Sequence, residues 1–298
     1  MGTGDIAIPS FEALVASPFQ LIGLVTQPDK PVGRKQIMTP PAIKVIAEEK
    51  GIPVMQPTKA RSKSFIDTVE SLEPDLIIVM AYGQILTSRL IAAPKIAILN
   101  IHASLLPLYR GASCIQGPIA DGREETGVSI IHVVKELDAG DVVTQHSFPL
   151  SPSDTANVVH DKISLLSPDV LLEGIERVLK DSTAGEPQIA EDFTYAPKLL
   201  RNDGLLDFSK TSVELERLVR AYHSWPGTYL LYKDKKGSEK RLKVFPPVEI
   251  EEEPSHALSV PCGDNKYLKI THVQPEGKSK MLVDQFLKGG FQSLIRYI

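Results

Sequence analysis

No stretch of this chain offers the ~20 consecutive apolar residues that a membrane-spanning helix requires. The opening residues, MGTGDIAIPS, lack the basic start, apolar core and small-residue cleavage site of a secretory signal. Cysteine is scarce: Cys114 and Cys262 are the only two, far apart in sequence. Two such thiols give no disulfide framework and cannot build a metal cluster by themselves. The histidines show no ligand spacing with cysteine or glutamate, so no metal is expected. Gly2-x-Gly4 has no third glycine in register and no strand before it, which weakens any reading as a dinucleotide loop. These absences argue against membrane, secreted disulfide-rich and metal-dependent classes, and the expected compartment is the cytoplasm.

What is present describes an ordinary globular chain. Its 298 residues are 42% hydrophobic and 23% charged, too long for one typical domain and sufficient for a large domain plus a smaller one. The net charge of −4 is unevenly spread. From Arg201 onward there are 16 Lys+Arg and 13 Asp+Glu, leaving a net −7 on the first 200 residues. A mildly basic final third suits a polyanion-binding face, although ordinary surface variation is the commoner cause.

The first two-thirds alternate between strand-like and helix-like segments. Leu21–Val25, Leu76–Met80 and Ile96–Asn100 are short aliphatic runs, as buried parallel strands are. Helices are expected at Ser10–Ala16, Ala42–Lys50 (behind Pro40 and Pro41) and Phe65–Leu72. Gly127–Val134 and Val142–Phe148 read as a further strand pair around KELDAGD. A long helix then runs to about Lys180, capped by Asp154, with Val158, Ile163, Leu166 and Leu172 as its apolar stripe. The expected fold is α/β: a doubly wound, Rossmann-like, mostly parallel sheet over 1–181. Residues 182–200 lack periodicity and read as a surface linker. Residues 201–298, with short strands, Lys/Gly turns and helices at Ser212–Tyr222 and Val283–Leu287, read as a small OB-like β-barrel domain.

The chemistry-bearing segment is NIHASLLPLYRG, Asn100 to Gly111. Asn100 and His102 stand two apart at the end of an apolar strand and so share one face. The carboxyl ends of parallel strands are where open α/β sheets bind ligands. An amide can donate to a developing oxyanion, and an imidazole can exchange a proton near neutral pH. Asp138 follows in a loop, where a carboxylate can orient that imidazole. On spacing alone the structural reading is the commoner one, because Asn and Asp are ordinary loop residues.

NIHASLLPLYRGA, ETGVSI and KELDAGD together resemble the signature of the folate-dependent formyltransferases. VTQPDKPVGRKQ, AEEKGIPVMQP, VMAYGQIL, FTYAPKL and HSWPGT extend the similarity, in particular to the methionyl-tRNA formyltransferases, over nearly the whole chain. The resemblance implies formyl transfer from 10-formyltetrahydrofolate to the amino group of initiator methionyl-tRNA, by a monomer. It assigns catalysis to Asn100, His102 and Asp138. It places folate against Ser104, Leu105, Leu106 and Pro107, and against Met80, Ala81, Tyr82, Gly83, Ile85 and Leu86, although the leucines serve equally as core. It brings tRNA to Arg34 and Lys35 in PVGRKQ; Lys235, Lys236, Lys240, Arg241 and Lys243 extend that footprint or act as edge-strand charges.

A sugar-nucleotide amine or a purine precursor as acceptor, a formyl-folate hydrolase, and a non-catalytic folate- or RNA-binding protein are the competing readings. The final third argues against the purine-type enzymes, and the basic PDKPVGRKQ loop argues for tRNA over a sugar. The resembled family also places a short apolar strand ahead of Met-Gly-Thr. The expectation is therefore a sheet short of its first strand, with ladder groups left to be paired.

Overall fold

The structure is a computed structural model, and it describes every residue except Arg34, Ala190, Lys235, 256–257, Gly290 and 296–298. The chain divides into two compact units. The first comprises Met1–Gly111, Thr126–Phe148 and His160–Tyr195; the second comprises Ala112–Glu125, Pro149–Val159 and Ala196–Ile298. The stretch expected as a linker is thus shared: through Tyr195 it belongs with the first unit, and from Ala196 with the second.

In chain order the first unit carries α1 (Ile8–Ala16), β1 (Leu24–Val25), β2 (Lys30–Val32), β3 (Ile37–Thr39), α2 (Ala42–Glu49) and β4 (Val54–Met55). These are followed by α3 (Lys63–Ser71), β5 (Leu76–Val79), α4 (Ser88–Ile91) and β6 (Ala97–His102). After α5 (Gln116–Asp121), which lies in the second unit, come β7 (Glu125–His132), β8 (Val142–Pro149) and α6 (Ala156–Lys180). Strands β1 and β4 are parallel, as are β5 and β6, while β7 runs antiparallel to β6 and is followed by β8. This is the Rossmann-like sheet that the alternating segments lead one to expect.

Helix positions follow from local chemistry. Pro41 stands at the N-cap of α2, whose Ile43 and Ala47, four apart, are buried. Phe65, Ile66 and Val69 of α3 pack with Val25, Ile77, Val79, Leu90 and Ile98 in one core cluster. Helix α6 has the expected extent, and its expected stripe is met in part. Ile163 is buried and Leu166 and Leu172 are half-buried, whereas Val158 is exposed; Val170, Leu171, Ile175 and Val178 complete the buried face. Ala156, not the residue after Asp154, opens the helix; Asp154 instead accepts from the Ser151 backbone N–H. Gly174 packs closely on that face, where a Cβ would stand 3.0 Å from the Ile130 side chain. The hairpin of β2 and β3 was not foreseen as paired strands, and its Val32, Ile37 and Met38 are exposed.

Met1 and Gly2 lie between β1 and the end of β5. Gly2 N–H donates to Val25 O and Met80 N–H to Met1 O, with Gly2 and Met80 bridged in parallel. Below them lies a cleft of about 590 Å³, lined by Leu24, Leu76, Ile78, Ile175 and Leu179 among others. The Met1 ammonium is buried and donates to Ile78 O, and burial pushes its pKa down to about 5. An unfolded chain binds that proton up to pH 8, so this group makes stability rise with pH from about 5 to 8. Joining an extended apolar segment of five or six residues ahead of Met1 is expected to raise the thermal midpoint and flatten that pH dependence. Calorimetry at pH 5.5 and 8 checks this, and equal midpoints for both versions would refute it.

The second unit holds α5, α7 (Ser212–Ala221), β9 (Thr228–Asp234), β10 (Glu239–Glu251), β11 (Ser259–Pro261), β12 (Tyr267–Pro275), β13 (Met281–Leu282), α8 (Val283–Gly289) and β14 (Phe291–Ile295). The strand order is β11-β12-β10-β9-β14, with β13 on β12, a curled antiparallel half-barrel. Pro246 and Pro247 break the β10–β12 register between Phe245 and Val248, which supplies the bend. Helix α7 begins with a capping box, Thr211 with Glu214. Its Leu215 and Val219 join Leu230, Leu242, Leu268 and Ile270 in the core.

Candidate active site

The site grows out of the end of β6. Alternation along that strand sends Leu99 and Ile101 to one face and Ile98, Asn100 and His102 to the other. Ile98 lies in the core cluster, and two residues on, Asn100 is already half-exposed. His102 is buried, at 4% exposure. Its Nε2 lies 2.9 Å from the carbonyl of Tyr109, which can only accept, so Nε2 carries the hydrogen. Tyr109 has φ +63°, and its N–H is held by the Thr194 hydroxyl at 2.9 Å. That left-handed backbone turns the carbonyl toward the ring, and Nδ1 is left facing Asp138, 3.7 Å from Oδ2.

Asp138 occupies the loop after β7, also with positive φ, +51°. Its Oδ2 accepts the Gly111 N–H at 2.9 Å and its Oδ1 accepts from the Asn100 amide at 3.4 Å. Three residues expected from the sequence are therefore brought together by one carboxylate. Orientation of the imidazole, expected from Asp138, comes from Tyr109 as well. Gly140 allows the loop to close, since a Cβ there would stand 1.8 Å from His132 O.

The loop expected to meet folate is braced from behind. The Ser104 hydroxyl donates to Leu108 O, and Ser104 O accepts from the Ser129 hydroxyl at 2.6 Å. Ser129 Oγ also accepts from Leu106 N–H and from Gln145, whose amide donates to Leu106 O too. Leu106 is buried and Leu105 and Pro107 are half-buried. In the other stretch Ala81, Gly83 and Ile85 face solvent, Ile85 almost fully. Met80 and Tyr82 are buried, and Tyr82 and Leu86 pack in the core cluster. Burial pushes the Tyr82 hydroxyl up to about 12. The Gln27 amide ties this stretch to β1 by donating to Tyr82 O.

Of the basic candidates, Arg34 and Lys235 lie outside the described residues. Lys35 is exposed at the tip of the β2–β3 hairpin and Lys236 in the β9–β10 turn. Arg241 and Lys243 share the face of β10 opposite the buried Leu242 and Val244, and Arg241 lies 4.5 Å from the Tyr229 ring. Lys240 alternates to the other side, so β10 does not present these cations on one face. Among the described residues no group of three or more His, Cys, Asp or Glu is gathered to hold a metal, and no helix is long and apolar enough to cross a membrane.

Sequence reasoning missed Tyr109, Thr194, Ser129, Gln145 and Gln188. Each acts through a backbone group or a partner far along the chain, and no local periodicity marks such a residue.

An amide donor, an imidazole and a carboxylate at the carboxyl edge of an α/β sheet form the kind of site that enzymes of acyl transfer use. Residues 6–175 match the family model described as formyl transferase, and residues 198–290 match the formyl transferase C-terminal domain. A methionyl-tRNA formyltransferase of Akkermansia muciniphila is 46% identical, covering 97% of this chain and 95% of its own. That of Bacillus licheniformis is 39% identical, covering 97% and 93%. Among solved structures, the sugar 3N-formyl transferase WlaRD superimposes with a TM-score of 0.64 at 19% identity, over 93% of this chain and 97% of that one. HypX of Aquifex aeolicus, in complex with tetrahydrofolic acid, gives 0.57 at 20% identity, over 80% and 43%. The chain belongs to the formyl transferase family, within its methionyl-tRNA formyltransferase group.

Proposed function

We propose that this protein transfers the formyl group of 10-formyltetrahydrofolate to the amino group of methionyl-tRNA, giving the N-formylmethionyl initiator tRNA. The observation that carries the chemistry is the joint placement of Asn100, His102 and Asp138 at the end of β6. The acceptor is supported by full-length similarity to methionyl-tRNA formyltransferases, which at 46% far exceeds the 19% shared with a sugar formyltransferase.

In the reaction the amine nitrogen bonds to the formyl carbon, the carbon's bond to the folate nitrogen breaks, and one proton passes from amine to folate nitrogen. Asn100 has a second amide N–H beyond the one directed at Asp138, and it donates to the oxyanion. His102 Nε2 is committed to Tyr109, which leaves Nδ1 to take up the proton and return it. The imidazolium so formed meets the Asp138 carboxylate across 3.7 Å. The Ser129–Gln145 brace keeps Leu105–Pro107 in place as an apolar wall for the pterin. We place the enzyme in the cytoplasm, acting as a monomer.

The deciding experiment is incubation with 10-formyltetrahydrofolate and either charged initiator or elongator methionyl-tRNA. Formylation of the initiator is expected, and formate release without formylated tRNA would overturn the reading in favour of a hydrolase. Arg34 is assigned to a tRNA phosphate. Arg34→Ala should raise KM for tRNA, leave folate binding unchanged, and make the plot of log KM against log salt shallower by about 1. An unchanged slope would remove Arg34 from the interface.

A further inference from the structure

After α6, residues 184–189 and 191–195 meet both loops that build the site. At one end, His132 donates to Ala184 O, and Glu186 exchanges backbone hydrogen bonds with Val142. At the other, Thr194 N–H donates to Pro107 O, while its carbonyl and hydroxyl accept from Arg110 and Tyr109. Between them stands Gln188, with both ends of its amide used. Its nitrogen donates to Asp138 O and Gly140 O, each at 2.8 Å. Its oxygen accepts from Arg110 Nε at 3.0 Å and Nη2 at 2.8 Å. Arg110 is buried, and its guanidinium lies 4.6 Å from the Phe193 ring. All these groups belong to the first unit.

The chemistry demands an amide here. One end must offer two hydrogens to two carbonyls and the other must accept from a cation. A carboxylate would face the two carbonyl oxygens with no hydrogen to give, and a cation would face Arg110. The two bonds from Gln188 hold the carbonyls of Gly140 and of Asp138 itself, whose backbone sits in the left-handed region that a non-glycine residue holds only when its surroundings insist. The direction of the Asp138 side chain follows from that backbone, and with it the contacts to Gly111, Asn100 and His102.

We propose that Gln188 is a positioning residue for formyl transfer, acting through Asp138 by pinning the backbone of its loop to Arg110. The proposal rests on the formyl-transfer reading above. Two variants test it. Gln188→Met keeps length and removes every hydrogen bond; Gln188→Glu keeps the acceptor for Arg110 and removes the two donors. Both are expected to lower kcat at least tenfold with KM for folate and tRNA within about twofold, and the glutamate variant is expected to be the slower of the two. Combined with Asp138→Asn, Gln188→Met should add little further loss, since the two act as one unit. A wild-type protein that formylates no tRNA would sink the functional reading itself. If the wild type is active, kcat within twofold for both variants, or full additivity with Asp138→Asn, would overturn the role of Gln188. Failure of both variants to fold would overturn it too, by assigning Gln188 to the fold alone.

Discussion

Asp138→Asn is expected to lower kcat by about 10²–10⁴-fold while leaving KM for folate and tRNA within a few-fold, the range that loss of a positioned acid–base group produces. The carboxylate serves three groups at once: the Gly111 N–H at 2.9 Å, the Asn100 amide at 3.4 Å and the His102 ring at 3.7 Å. An asparagine of the same shape keeps an acceptor for Gly111 but loses the charge that meets the imidazolium. With its oxygen in the place of Oδ2, which Gly111 and His102 share, its NH2 points at the Asn100 amide, so Asn100 loses its acceptor. Asp138→Ala should be at least as slow, because it leaves the Gly111 N–H without that acceptor as well. Single-turnover quench measurements with saturating folate isolate the chemical step. A rate within tenfold of wild type for the asparagine variant would remove Asp138 from proton movement.

Asn100→Ala is expected to cost about 10²–10³-fold in kcat, roughly 2.7–4 kcal/mol, as removal of one oxyanion donor does elsewhere. The donor is needed when charge develops on the formyl oxygen, so KM should change little. The fold should survive, because Asn100 is half-exposed and its side-chain bond to Asp138 is long, 3.4 Å. Asn100→Asp should be slower than the alanine variant, since it sets a second carboxylate against Asp138 and against the oxyanion. Near-normal single-turnover formylation by Asn100→Ala, with an unchanged melting curve, would sink the assignment.

Much of the fold was legible. Helices α2, α3 and α7 announce themselves through Pro41, through Phe65, Ile66 and Val69, and through the Thr211–Glu214 capping box. These signals are local, and local signals survive in a sequence read without its fold. The face of α6 was legible only in part: Ile163 is buried as its spacing suggests, but Val158 and Leu165 are as apolar and are exposed. Which stripe packs inward depends on tertiary contacts such as the close approach of Gly174 to Ile130, on a helix and a strand more than forty positions apart.

The same division runs through the site. The residue types and their order bring an amide and an imidazole to one face of a strand end, because strand geometry has a period of two whatever surrounds it. The motif around them is long enough to carry the family, and with it the reaction. The protonation geometry of His102 belongs to the fold, since it depends on a carbonyl turned by the positive φ of Tyr109 and held by Thr194, 85 residues away. So does the aim of Asp138, which Gln188, from a stretch without periodicity, holds by joining its loop to Arg110. Hydrogen bonds of that kind join groups distant along the chain and satisfy buried polar atoms one by one. No pattern of apolar spacing can announce them, and only the folded chain shows which partners meet.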